Sequence, residues 1–182
     1  MSADLDFVTI AEAAKLIQTR KLSPVELTEA KLQRIAQHDG SVNSFRLLLA
    51  DAALADARRA ESEIARGAWR GPLHGIPVGL KDIYNTAGVA TTAQSAVLQD
   101  HVPEEDATTV RLLREAGAVI LGKLTTYEFA LGGSSFDLPW PPARNPWDTG
   151  RDPAGSSSGS GAATAAGFCL GAMGSDTGGS IR

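Results

Sequence analysis

The pattern of apolar and polar positions divides the chain into a helical first part and a sheet-forming second part. Thr9-Ile-Ala-Glu12 and Ser23-Pro-Val-Glu26 both match the capping box. In the second, Pro24 occupies the first helical position, where a missing N–H does no harm. These signals predict helices over about 10–20 and 24–37. A short apolar run, Phe45 to Leu49, precedes an alanine-rich segment from Asp51 to Arg66. There Leu54, Ala57, Ala60 and Ile64 recur at helical spacing and Gly67 supplies a stop, which predicts a third helix.

From Gly75 the texture changes. Ile76 to Leu80 reads as a strand, Asp106 to Ala116 as a capped helix ended by Gly117, and Ala118 to Leu121 as a second strand. Strand, helix and strand in that order form a crossover unit, so the sheet is expected to be largely parallel. The segment from Gly132 to Gly161 lacks periodicity and contains Pro139, Pro141, Pro142, Pro146 and Pro153. Loops of that length are uncommon in compact domains unless they are functional. A small-residue helix around Ala162 to Gly167 and a strand from Phe168 to Met173 complete the pattern. With no repeat and no linker, residues 1–182 are expected to belong to one domain, helical over about 8–70 and sheet-containing over about 71–182.

Composition narrows the function. At 182 residues, 43% hydrophobic and 21% charged, the chain has enough apolar surface for a core. A net charge of −4 with scattered lysines and arginines leaves no electrostatic footprint for nucleic acid. Cys169 is the one cysteine and the N-terminus carries no secretory pattern, so a reducing, cytoplasmic setting is expected. The weakly polar stretch from Gly161 to Gly174 is shorter than the ~20 residues of a membrane helix, so no membrane partner is expected.

Two strings invite chemistry. Pro153 to Gly161, PAGSSSGSG, lacks the Gly-Lys-Ser/Thr of a phosphate loop. It matches G-x-S-x-G around Ser157, yet that motif needs a preceding strand and a later histidine, and His38, His74 and His101 all come earlier. A flexible linker is the plainer reading, although this string runs into a helix pattern. The second string, Gly174 to Arg182, GSDTGGSIR, follows a strand. Its two glycines beside Ser180 allow consecutive backbone N–H groups to converge on a developing oxyanion, but Asp-Thr-Gly-Gly is also an ordinary turn sequence. A serine nucleophile needs a base, and the histidines read as solvated surface residues. A lysine kept neutral can serve instead. Lys81 follows the first strand at its carboxyl end, where sheet-based sites gather, and Lys123 follows the other strand in the same way. Position alone does not choose between them.

Taken together, GIPVGLKD (75–82), PAGSSSGSGAA (153–163) and GSDTGGSIR (174–182) resemble the amidase signature family. The spacing agrees, with 75 residues from Lys81 to Ser156 and 24 from Ser156 to Ser180. Residues 102–133 and the RNPWD string at 144–148 are also similar to the family, so the resemblance covers nearly the whole chain. It implies an α/β fold in which a mixed, mostly parallel sheet is flanked by helices. It also implies amide hydrolysis or transfer by a Ser–Ser–Lys triad, with Ser180 as nucleophile, Ser156 as bridging serine and Lys81 as base. By the same resemblance Ser157, Asp176 and Arg182 support the site. The N–H groups of Thr177, Gly178, Gly179 and Ser180 form the oxyanion hole, and the Gly155–Ser156 peptide is cis. Ala154-Gly155 departs from the more usual Gly-Gly.

The resemblance further implies an acyl-enzyme, a small-molecule amide substrate, and neither cofactor nor metal. It leaves a homodimer open. Tyr127 to Asp148, with its Pro/Trp-rich middle, resembles stand-alone amidases more than the A subunit of the Glu-tRNA(Gln)/Asp-tRNA(Asn) amidotransferase, a glutaminase for which tRNA and partner subunits would be required. Family members continue well past the nucleophile. The 182 residues alone are therefore expected to be an incomplete fold, poorly folded and inactive, and a non-catalytic remnant is the third reading.

Overall fold

The computed structural model of the protein describes residues 5–182. Helix α1 (Ile10–Gln18) begins where the capping box places it, since the Thr9 hydroxyl accepts the Glu12 N–H and the Glu12 carboxylate accepts the Thr9 N–H. It stops short of residue 20 because Arg20 adopts a left-handed conformation with φ 56°. Helix α2 (Pro24–Val42) has half the expected box. The Ser23 hydroxyl accepts from Val25 and Glu26, but donates to Glu61 of the next helix rather than engaging the Glu26 side chain.

Helix α2 also runs past the predicted residue 37, through Gly40, because its buried Ile35 and Val42 belong to the core and outweigh glycine's poor propensity. Asn43 in the left-handed region ends it, and the Asp39 carboxylate accepts the Ser44 and Phe45 N–H groups that follow. Those bonds direct the chain into strand β1 (Phe45–Leu48). Helix α3 (Ala50–Ala65) then buries Ala53, Ala57, Ala60 and Ile64.

Strands β2 (Pro77–Lys81) and β3 (Val119–Leu124) flank helix α4 (Thr108–Glu115). Asp106 does not supply the cap that the sequence predicts for α4. Its carboxylate accepts the Ala87 N–H and pairs with Arg114, and the helix starts after Ala107. Helix α5 (Ser158–Ala165) begins earlier than predicted, and strand β4 (Gly171–Met173) is shorter than predicted because Phe168 and Cys169 are spent in the core ahead of it.

The sheet order is β1-β3-β2-β4, with β2 parallel to both β3 and β4 and β1 antiparallel to β3. This is the mixed, mostly parallel sheet flanked by helices that the family resemblance implies. On one face, residues of α2, α3 and α5 join Val119, Leu121, Leu124 and the fully buried Phe168. Burying Phe168 contributes about 1.5–3 kcal/mol. On the other face, Ala13 and Ile17 of α1 and Val110 of α4 pack against Val78, Leu80 and Ile120.

One irregularity in this sheet decides where two lysines go. Val78 pairs with Ile120 but Gly79 pairs with Gly122, so Leu121 is passed over. Side chains alternate along a strand. Without the shift Lys123 would share the face of Lys81; with it, Lys81 pairs with Leu124 and Lys123 points to the opposite side.

Candidate active site

Lys81 is fully buried at the carboxyl end of β2. The α5 face of the sheet brings three hydroxyls to its amine. Nζ lies 2.7 Å from Ser156 Oγ, 2.8 Å from Ser175 Oγ and 3.1 Å from Ser157 Oγ. Ser156 Oγ in turn lies 3.0 Å from Ser180 Oγ, so lysine, serine and serine form a continuous chain. The Gly155–Ser156 peptide is cis. The Ser156 carbonyl accepts from Thr126 Oγ1 at 2.8 Å and from the Tyr127 N–H at 3.2 Å.

Among the described residues no carboxylate touches the Lys81 amine. Burial, opposed by the nearby Asp176 charge, lowers its pKa from the ordinary lysine value to about 8. Three neutral hydroxyls can accept from an ammonium or donate to an amine, so the same contacts serve either protonation state.

Lys123 is equally buried and also lowered to about 8, chiefly by burial, but its surroundings differ. It reaches Thr91 Oγ1 at 2.8 Å, Thr86 Oγ1 at 3.1 Å and the Asp82 carboxylate at 3.6 Å. Asp82 also holds Arg46 at 2.6 Å and accepts from Thr92. The two lysines thus differ in their contacts: Lys81 meets the serines and Lys123 meets a carboxylate.

The closing loop is organised by Asp176. Its carboxylate accepts the N–H groups of Gly179, Ile181 and Arg182 and pairs with the Arg182 side chain at 2.9 Å. The Arg182 guanidinium and these N–H groups hold the carboxyl well below the usual range. Gly179 therefore spends its N–H on Asp176, whereas the N–H groups of Thr177, Gly178 and Ser180 have no acceptor among the described residues. A cavity of about 570 Å³ adjoins Ser180, lined on its other sides by Gly155, Ser160, Ala172 and Arg182 among others.

Ser175 is a contact that the sequence does not disclose. Met173 of β4 pairs with Leu80, so the residues just beyond β4 lie beside Lys81, a consequence of register rather than of any local motif. His74 differs from expectation too. It is fully buried against Glu63 and accepts the Arg70 N–H, and burial lowers its pKa despite the Glu63 charge.

The Amidase family model matches residues 26–182. The chain belongs to the amidase family. It is 48% identical over 179 residues to the A subunit of glutamyl-tRNA(Gln) amidotransferase from Moorella thermoacetica, covering 98% of this chain and 37% of that one. A protein of Mycobacterium bovis named as an amidase, AmiD, is likewise 48% identical, over 95% of this chain and 36% of its own. Among solved structures, a peptide amidase in complex with the competitive inhibitor chymostatin superposes with a TM-score of 0.88 and 41% identity. That likeness covers 96% of this chain and 37% of the other. The amidase chain thus spans about a third of the length of the relatives it matches. No helix among its described residues is long and apolar enough to cross a membrane.

Proposed function

We propose that the full-length protein hydrolyses a linear carboxylic amide through a Ser180–Ser156–Lys81 triad and an acyl-enzyme. The observation that carries this reading is the unbroken run of contacts from Lys81 Nζ through Ser156 Oγ to Ser180 Oγ, at 2.7 and 3.0 Å. Neutral Lys81 takes the proton of Ser156, which takes that of Ser180 as Ser180 Oγ bonds to the amide carbon. The carbonyl oxygen becomes an oxyanion facing the N–H groups of Thr177, Gly178 and Ser180, whereas the Gly179 N–H is held by Asp176. Collapse breaks the C–N bond, the relay returns its proton to the leaving amine, and water then hydrolyses the acyl-serine.

Amide hydrolysis without partner subunits is preferred on the Pro/Trp-rich stretch between Tyr127 and Asp148. The likeness to an amidotransferase A subunit favours a second reading, glutamine hydrolysis that supplies ammonia to a charged tRNA. A panel of simple, aryl and peptide amides, run beside glutamine with and without ATP and charged tRNA, separates the two. Turnover of simple amides alone is expected. Ammonia released only from glutamine in the presence of ATP and charged tRNA would establish the second reading instead.

The base assignment fixes a pH dependence. Because the charged form of Lys81 is the one penalised by burial, its neutral form grows as pH rises through about 8. Below that value kcat/KM is expected to rise about tenfold per pH unit, levelling off above it. A profile that is flat from pH 6 to 9 would remove Lys81 from the base role.

A further inference from the structure

The turn that carries Ser156 is braced by residues outside the triad, its glycines and the closing loop. The Asp152 carboxylate accepts the Ala154 N–H at 2.6 Å, folding the turn back on itself. The same oxygen accepts the Tyr127 hydroxyl at 3.1 Å, and the other oxygen accepts the Ser134 hydroxyl. The Tyr127 ring lies flat against Gly155, where an added Cβ would come within 2.6 to 2.8 Å of three ring carbons. From its backbone the same tyrosine donates to the Ser156 carbonyl. Tyr127 thus grips the turn at three successive points: the carboxylate of Asp152 through its hydroxyl, Gly155 through its ring and Ser156 through its N–H.

We propose that Tyr127 and Asp152 are positioning residues for Ser156, a latch that holds the bridging hydroxyl between Lys81 and Ser180. The proposal rests on the triad reading above. Neither residue touches the reacting atoms, so the latch acts only through the placement of Ser156 Oγ. Misplacing a relay group by about 1 Å costs on the order of 10²-fold in rate. The two carboxylate oxygens are not equivalent. Oδ1 takes both the turn N–H and the tyrosine hydroxyl, whereas Oδ2 takes Ser134 alone. An asparagine that keeps Oδ1 as its carbonyl oxygen therefore retains the two bonds that matter.

The test uses the full-length protein and a simple amide substrate that it turns over. Asp152→Ala and Tyr127→Phe are expected to lower kcat by about 10- to 100-fold with KM changed less than about threefold. Asp152→Asn is expected to restore kcat to within about threefold of wild type. Unfolding midpoints measured alongside exclude loss of folded enzyme as the cause. Wild-type kcat in Asp152→Ala and Tyr127→Phe, or no recovery in Asp152→Asn, overturns the latch. Ser156→Ala is the control for the underlying reading. Full activity in Ser156→Ala overturns the triad, whereas an inactive Ser156→Ala beside fully active latch variants overturns the latch alone.

Discussion

Replacing Ser180 with alanine in the full-length protein is expected to lower kcat by at least ~10⁴-fold while KM changes little, because the bond-forming atom itself is removed. The rest of the site stays assembled. Lys81 keeps its contacts with Ser156, Ser157 and Ser175, and the Ser157 N–H still donates to the Ser180 backbone carbonyl. Ser157→Ala offers the contrast. It deletes a hydroxyl that lies beside Lys81 and bonds the Ser175 backbone, but it leaves the relay intact. A loss near tenfold is expected there, the worth of one hydrogen bond. Steady-state kinetics on both variants with one amide substrate make the comparison. Equal turnover by wild type and Ser180→Ala would sink the nucleophile assignment.

The second large effect is expected at a residue with no functional group. Gly159 sits in the first turn of α5, and a Cβ there would lie 2.5 Å from the Ser44 carbonyl oxygen, 2.6 Å from the Thr125 nitrogen and 2.7 Å from the Thr125 carbonyl oxygen. All three are backbone atoms, so no side chain can rotate aside. Gly159→Ala must push α5 away from the end of β3, breaking the bond from the Gly159 N–H to Thr125. Ser156 and Ser157 precede this turn directly and move with it. A stability loss of ~1–3 kcal/mol is expected, together with a fall in kcat of about 10²-fold. Denaturant unfolding and kinetics read the two effects separately. Wild-type values in both would show that α5 is not seated by this approach.

Where the sequence signal was local, the structure follows it. The Thr9 box starts α1, Pro24 opens α2, and Gly117, in the left-handed region, follows α4. The departures arise where tertiary contact outweighs local preference. Ser158-Gly-Ser-Gly161 has little helical propensity, yet it is helix because its small residues let α5 approach β3. Asp106 had the composition of a cap but found Arg114 and the Ala87 N–H instead. For the site, local strings drew attention to Ser157 and Ser180 and the family resemblance to Ser156; the fold sets Ser156 and Ser157 against Lys81, and Ser180 against Ser156. Ser175, Tyr127 and Asp152 escaped notice because their contacts depend on strand register and on a turn meeting a loop, neither of which leaves a periodic trace.

The skipped residue between β2 and β3 makes the sheet a partition. Two amines of matched acidity, each near pKa 8, stand on adjacent strands at almost the same level, and the sheet lies between them. On one side three hydroxyls touch the amine and no carboxylate among the described residues does; on the other, Asp82 shares the second amine's charge and ties it into the scaffold. Were Leu121 paired with Gly79 instead of passed over, both amines would stand on one side. There each would oppose the other's charge, and Asp82 would keep Arg46 but lose Lys123.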